Sequence, residues 1–166
     1  MKPLSVEPQS PEPVPANMEI TRAELAKLIV EATGVPMNTA GGPHYPDVTS
    51  DQWYYQYVET AHNMGWMVGY PDGMFKPAGK VNRAEGAKIF TLSVIANCNN
   101  GPAYSEPYYK DVSPADWFSG PVHKMADCKM VDILPSDTSM YFPSYLLSRG
   151  RAQYMVNNAK QAGWIK

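Results

Sequence analysis

Cysteine is scarce in this chain: 166 residues contain only Cys98 and Cys128. There is no Cys-x-x-Cys, and His44, His62 and His123 show no ligand-like spacing to one another or to a cysteine pair. A metal site is therefore not expected. No glycine-rich phosphate loop and no nucleophile elbow occurs. A glycoside hydrolase needs two carboxylates held across a bond, and nothing here points to such a pair. The chain reads as non-enzymatic, without a cofactor. Long apolar runs are missing too. None approaches the ~20 residues of a membrane span, so membrane insertion is not expected. Positive charge is not in surplus either: the net charge is −2, and without a basic run nucleic acid is excluded as a partner. Met1-Lys2 runs straight into polar, proline-rich sequence, so no signal peptide is visible and a secreted form would have had its leader removed.

What is plentiful is proline, at sixteen residues, and tyrosine, at eleven against four phenylalanines. Rigid turns and a half-wet aromatic surface suit a binding module better than a deep enzyme pocket. The length allows one compact domain with a real core. Residues 1–16 carry Pro3, Pro8, Pro11, Pro13 and Pro15, and read as an extended linker or a disordered arm.

One stretch organises the rest. Asp47-Val48-Thr49 leads through Gln52 and Trp53 into a helical pattern with Val58, Ala61 and Gly65 on one face. Thr49 and Gln52 are spaced as a capping box. Gly65 and Gly69 close that helix, and Pro71-Asp72-Gly73 forms a tight turn in which Gly73 tolerates positive φ. Asn82 caps a second helix, from Arg83 to about Ala96, with Glu85 as the other half of its box. The pattern then returns. Asp111 to Trp117 repeats Asp47 to Trp53, with Ser113 as N-cap and Pro114 at the first helical position. Thr21-Arg22-Ala23-Glu24 matches Asn82-Arg83-Ala84-Glu85, and Ser148-Arg149-Gly150-Arg151 is a weaker third copy. The first helix covers Thr21 to Thr33 and the last runs from near Arg149 to before Gly163. Loops are expected over 37–46 and 97–107, and a lengthened turn over 133–145.

In order and spacing, Asp-Val…Trp, Gly-Tyr-Pro-Asp-Gly-Met-Phe-Lys-Pro and Thr-Arg-Ala-Glu resemble the S-layer homology domain, from Ile20 to roughly Asn158. The resemblance implies an all-α, pseudo-threefold domain over 17–166, with lobes near 17–43, 44–100 and 101–166. It also implies an extracellular place, in the cell wall or surface layer. Its function would be non-catalytic anchoring to an anionic secondary cell-wall polysaccharide, commonly pyruvylated, in grooves between lobes. The alternative is a protein–protein module for surface-layer assembly or docking.

Arg22, Arg83 and Arg149 each follow an N-cap, where the macrodipole disfavours a cation by about 0.3–1 kcal/mol. Such an arginine has a purpose if it meets an anion, or if it pairs with a neighbouring lobe's carboxylate such as Asp47 or Asp111. The resemblance places these arginines and aspartates beside the sugar, while turn formation remains open for both aspartates. Trp53 and Trp117 are expected in the core. Trp66 and Tyr70 either stack on a sugar ring or fill the core, and Lys76 is either a second cation or a solvated lysine. Arg83, in the complete copy, is expected to bind glycan and to be dispensable for folding. Arg151 replaces Glu85 in the third copy, so that box is lost. Cys98 and Cys128, in adjacent lobes of an exported protein, form either a disulfide or two buried thiols.

Overall fold

The computed structural model describes residues 18–99, 108–131 and 139–166. The proline-rich segment 1–16, most of the loop expected over 97–107 and the first part of the turn over 133–145 lie outside the described residues. Five helices follow in order: α1 (Arg22–Thr33), α2 (Tyr55–Asn63), α3 (Arg83–Leu92), α4 (Ser119–Asp127) and α5 (Arg149–Gln161). Among the described residues strand pairing is limited to isolated bridges, so the fold is all-α. The helices pack as α1 on α2, α3 on α4 and α5 on α1.

The cap residues start the helices as their chemistry dictates. Thr21 accepts a hydrogen bond from the Glu24 amide while the Glu24 carboxylate accepts one from the Thr21 amide, and Asn82 and Glu85 do the same for α3. Each cap stabilises its helix by about 1 kcal/mol. Ser148 accepts from the Arg151 amide, but Arg151 has no carboxylate to complete the box. Gly34, at φ 67°, ends α1.

Two helices begin later than the sequence pattern predicts. Gln52 does accept from the Thr49 amide at 2.9 Å, but the Thr49 hydroxyl turns to Asp51 instead of capping. The result is a separate turn, and α2 starts only at Tyr55. Likewise Asp116 accepts from the Ser113 amide at 2.8 Å, and the Ser113 hydroxyl serves Ala115. Pro114 therefore sits in that turn, and α4 starts at Ser119. Helix α3 stops at Leu92 because the Ser93 backbone leaves the helical region; Val94 and Ile95 reach the core from a turn.

The core is continuous across all five helices. Leu25 and Ile29 of α1, Val58 of α2, Phe90 of α3, Val122 and Met125 of α4 and Val156 of α5 are buried together. Burying one such side chain is worth about 1.5–3 kcal/mol. Ile20, Val81 and Leu147, each just ahead of an N-cap, are also buried. Here the chain closes on itself. Thr21 bridges to Lys80, Asn82 to Leu146, and Ser148 to Glu19, so each entry segment pairs with both others. The amides of Arg22, Arg83 and Arg149 donate to the carbonyls of Gly79, Tyr145 and Met18, respectively. Helix N-termini carry amides without intrahelical partners. In this ring the next segment's carbonyls supply them.

Candidate functional site

Two arginine–aspartate pairs grip two equivalent turns. Lys76 and Phe142 have φ of 59° and 58°, a left-handed conformation that costs a residue with a side chain of order 1–3 kcal/mol. Asp47 holds the first turn by accepting from the amides of Phe75 (2.9 Å) and Lys76 (2.7 Å). Asp111 does the same with Tyr141 (2.8 Å) and Phe142 (2.7 Å). From the other side Arg22 Nε donates to Phe75 O (2.8 Å) and Nη2 to Val68 O (2.6 Å), with its guanidinium 4.5 Å from the Phe75 ring centre. Arg83 Nε donates to Tyr141 O at 2.9 Å and lies 4.6 Å from the centre of that ring. Both arginines are buried. A cation at a helix start is tolerated here because it ties down a neighbouring turn.

Arg149 departs from this pattern. Its Nε and Nη2 fork onto Glu24 at 2.9 and 2.5 Å, joining α5 to α1. The ion pair between these helices therefore uses Glu24 rather than Asp47 or Asp111. Burial pushes the Glu24 carboxyl up, but the bonds from Arg149 and Thr21 outweigh it and hold the group below its ordinary value. A depressed folded-state pKa gives stability that is present above the unfolded carboxylate value and lost as pH falls through the folded one. Urea midpoints between pH 6 and 3 should fall for the wild type, and Glu24→Gln should remove part of that slope.

A groove of about 240 Å³ opens between the start of α1, the segment after α2, the first turns of α3 and the residue before Phe118. It is lined by Arg22, Trp66, Tyr70, Glu85, Lys88 and Trp117. Trp66 is buried. Trp117, expected in the core, is 59% exposed. The late start of α4 explains this correction: Trp117 lies in the preceding turn, not on an inward helical face. Trp53 is half-buried, edge-on to Tyr54, so it is not a core residue either. Tyr70 has Arg22 and Lys76 at 4.7 and 4.5 Å from its ring centre, and Lys76 also pairs with Asp72 at 2.8 Å. Gly73, at φ 83°, donates to Tyr70 O and closes the Pro-Asp-Gly turn beside it.

The structure thus gathers Arg22, Trp66 and Tyr70 with Glu85 and Trp117. Arg83 sits under the Tyr141 turn, Arg149 against Glu24, and Asp47 and Asp111 hold backbone. Sequence reasoning missed Lys88, whose Nζ is 5.7 Å from the Trp117 ring centre. Its spacing from Glu85 on one helix face was the available signal. Cys98, after α3, and Cys128, capping α4, are joined in a disulfide with Cα atoms 6.2 Å apart.

The motifs on this frame define a class. Residues 44–87 match the S-layer homology domain model. It is similar to a surface layer protein of Brevibacillus choshinensis, 38% identical over 82 residues, covering 48% of this chain and 7% of the relative. Cell surface glycoprotein 1 of Acetivibrio thermocellus is 26% identical over 153 residues, covering 87% and 6%. The cellulosome-anchoring protein of the same organism is 28% identical over 81 residues, covering 49% and 18%. The chain spans less than a fifth of each of these relatives.

Proposed function

We propose that this chain is a non-catalytic anchoring module that binds an anionic cell-wall polysaccharide, pyruvylated in the form the resemblance implies, and so holds a protein at the outer cell surface. The observation that carries the reading is the groove, where two cations, Arg22 and Lys88, stand beside two aromatic rings, the half-buried Tyr70 and the exposed Trp117. Sugar C–H faces pack on aromatic rings, and an acid substituent is met by the cations. The bonds to Phe75 and Val68 use Nε and Nη2 of Arg22, leaving Nη1 as the donor for a ligand. Lys76, over the Tyr70 ring, adds positive charge nearby. Arg83, Arg149, Asp47 and Asp111 serve binding indirectly, by fixing turns and the joint between helices. The names of the relatives, a surface layer protein and a cellulosome-anchoring protein among them, support the anchoring role. A pseudo-threefold unit over residues 17–166, with lobes near 17–43, 44–100 and 101–166, is supported by the closed cycle of bridges.

Trp117→Ala and Lys88→Ala should each weaken binding to purified pyruvylated wall polysaccharide roughly tenfold, about 1.4 kcal/mol. The melting temperature should hold, because both side chains are exposed. Titration calorimetry on the variants decides it. Unchanged affinity would remove the groove from the reading, and glycan-independent self-association would favour a protein–protein module.

A further inference from the structure

Behind the groove lies a cluster of titratable side chains that glycan contact does not use. Glu59, on α2, is fully buried; one oxygen accepts from the His44 amide at 3.1 Å and the other lies against His44 Nδ1. The His44 ring stacks on His62, also on α2, with centroids 4.0 Å apart. His62 Nδ1 is 2.6 Å from the Tyr45 hydroxyl, and that hydroxyl accepts from the Gly69 amide at 2.9 Å. Gly69 is groove backbone. A Cβ at position 69 would collide with the Tyr45 ring and meet Met74 O at 2.9 Å, so tyrosine and groove backbone touch with no slack.

The direction of these bonds follows from donor arithmetic. An amide N–H only donates, so the Tyr45 oxygen is the acceptor for Gly69, and in the tautomer with the His62 proton on Nε2 the single hydrogen of Tyr45 goes to His62 Nδ1. That requires Nδ1 to carry no proton. Protonated at Nδ1, His62 becomes a donor to the same oxygen, and the Tyr45 hydrogen loses its acceptor.

We infer that Tyr45 is a positioning residue that couples the groove backbone at Gly69 to the protonation of His62, making the groove proton-linked. The link to binding rests on the glycan reading above. The charged groups around the relay are Glu59 and His44 beside His62, and Arg22 and Asp47 acting on Tyr45. From α1, packed along α2, Glu31 and Lys27 meet Tyr57. Burial, then the neighbouring His44, hold His62 below its ordinary value, so the relay is intact at neutral pH and opens in mild acid.

The test is NMR of the isotope-labelled protein from pH 8 to 4.5, following the His62 ring and the Gly69 amide. In the wild type the two should move with one midpoint, below the ordinary histidine value of about 6.5. In Tyr45→Phe and His62→Asn the Gly69 amide should stay flat. A Gly69 amide that ignores His62 in the wild type, or that titrates equally in Tyr45→Phe, overturns the inference. Affinity for pyruvylated wall polysaccharide should fall at least threefold from pH 7.5 to 5 in the wild type and stay level in Tyr45→Phe; a level wild-type profile also overturns it. Absence of binding at every pH would instead overturn the glycan reading, and the Gly69 amide alone then decides this inference.

Discussion

Arg83→Ala is expected to destabilise the domain by about 2–4 kcal/mol and to lower its melting temperature by roughly 5–15 °C. Removing a cation from a helix N-terminus would by itself be neutral or favourable by about 0.3–1 kcal/mol. That term loses here. Arg83 is only 3% exposed; truncation leaves a cavity and removes the bond from Nε to the Tyr141 carbonyl. The same turn carries Phe142 at positive φ, so it has little reserve of its own. Arg83→Lys should recover only part, because an ammonium cannot reproduce the flat fork above the Tyr141 ring. Thermal unfolding by circular dichroism reads this directly. A melting temperature unchanged in Arg83→Ala would show that Asp111 holds the turn unaided.

Breaking the Cys98–Cys128 bond is the other large perturbation. With a sequence separation of 30, the chain-entropy model puts its contribution at about 3–4 kcal/mol. Comparing urea unfolding of oxidised protein with the Cys98→Ala/Cys128→Ala double variant measures it. Two alkylatable cysteines in native, unreduced protein would contradict the bond outright. The damage should not stay at the disulfide. Lys88 lies on α3 and Trp117 just ahead of α4, and the bond ties the far ends of those helices. The double variant should therefore bind pyruvylated polysaccharide more weakly even where it remains folded.

The helices with cap boxes were legible from the chain because each box is local: Thr21 with Glu24, and Asn82 with Glu85, are read within one turn. Thr49 and Ser113 carry the same letters, yet their hydroxyls found nearer partners in Asp51 and Ala115, and the helix starts moved. That shift decided Trp117, whose exposure depends on where α4 begins. The role of Arg22 and Arg83 was illegible for a different reason. Their partners are main-chain carbonyls 53 and 58 residues away, and a carbonyl has no letter in the sequence. The aspartates were half legible: turn formation was among their readings, though the turns they hold lie 28 to 31 residues downstream. Lys88 was missed because a lysine on a helix face is usually solvent-facing. Only the approach of Trp117 from another repeat gives it a partner.

The cycle of bridges sets this chain apart from linear repeat arrays. In a solenoid each unit touches only its neighbours, and trimming an end unit leaves the others standing. Here, among the described residues, one of the three bridges joins Glu19, ahead of α1, to Ser148, ahead of α5. A polypeptide stopped before Leu146 keeps only the Thr21–Lys80 bridge. During synthesis the circle therefore stays open until α5 is about to emerge, and long-range pairing of this kind is the slow part of folding. Shortening the unit by one repeat would not make a smaller version of it; it would leave an open circle with two unmatched rims.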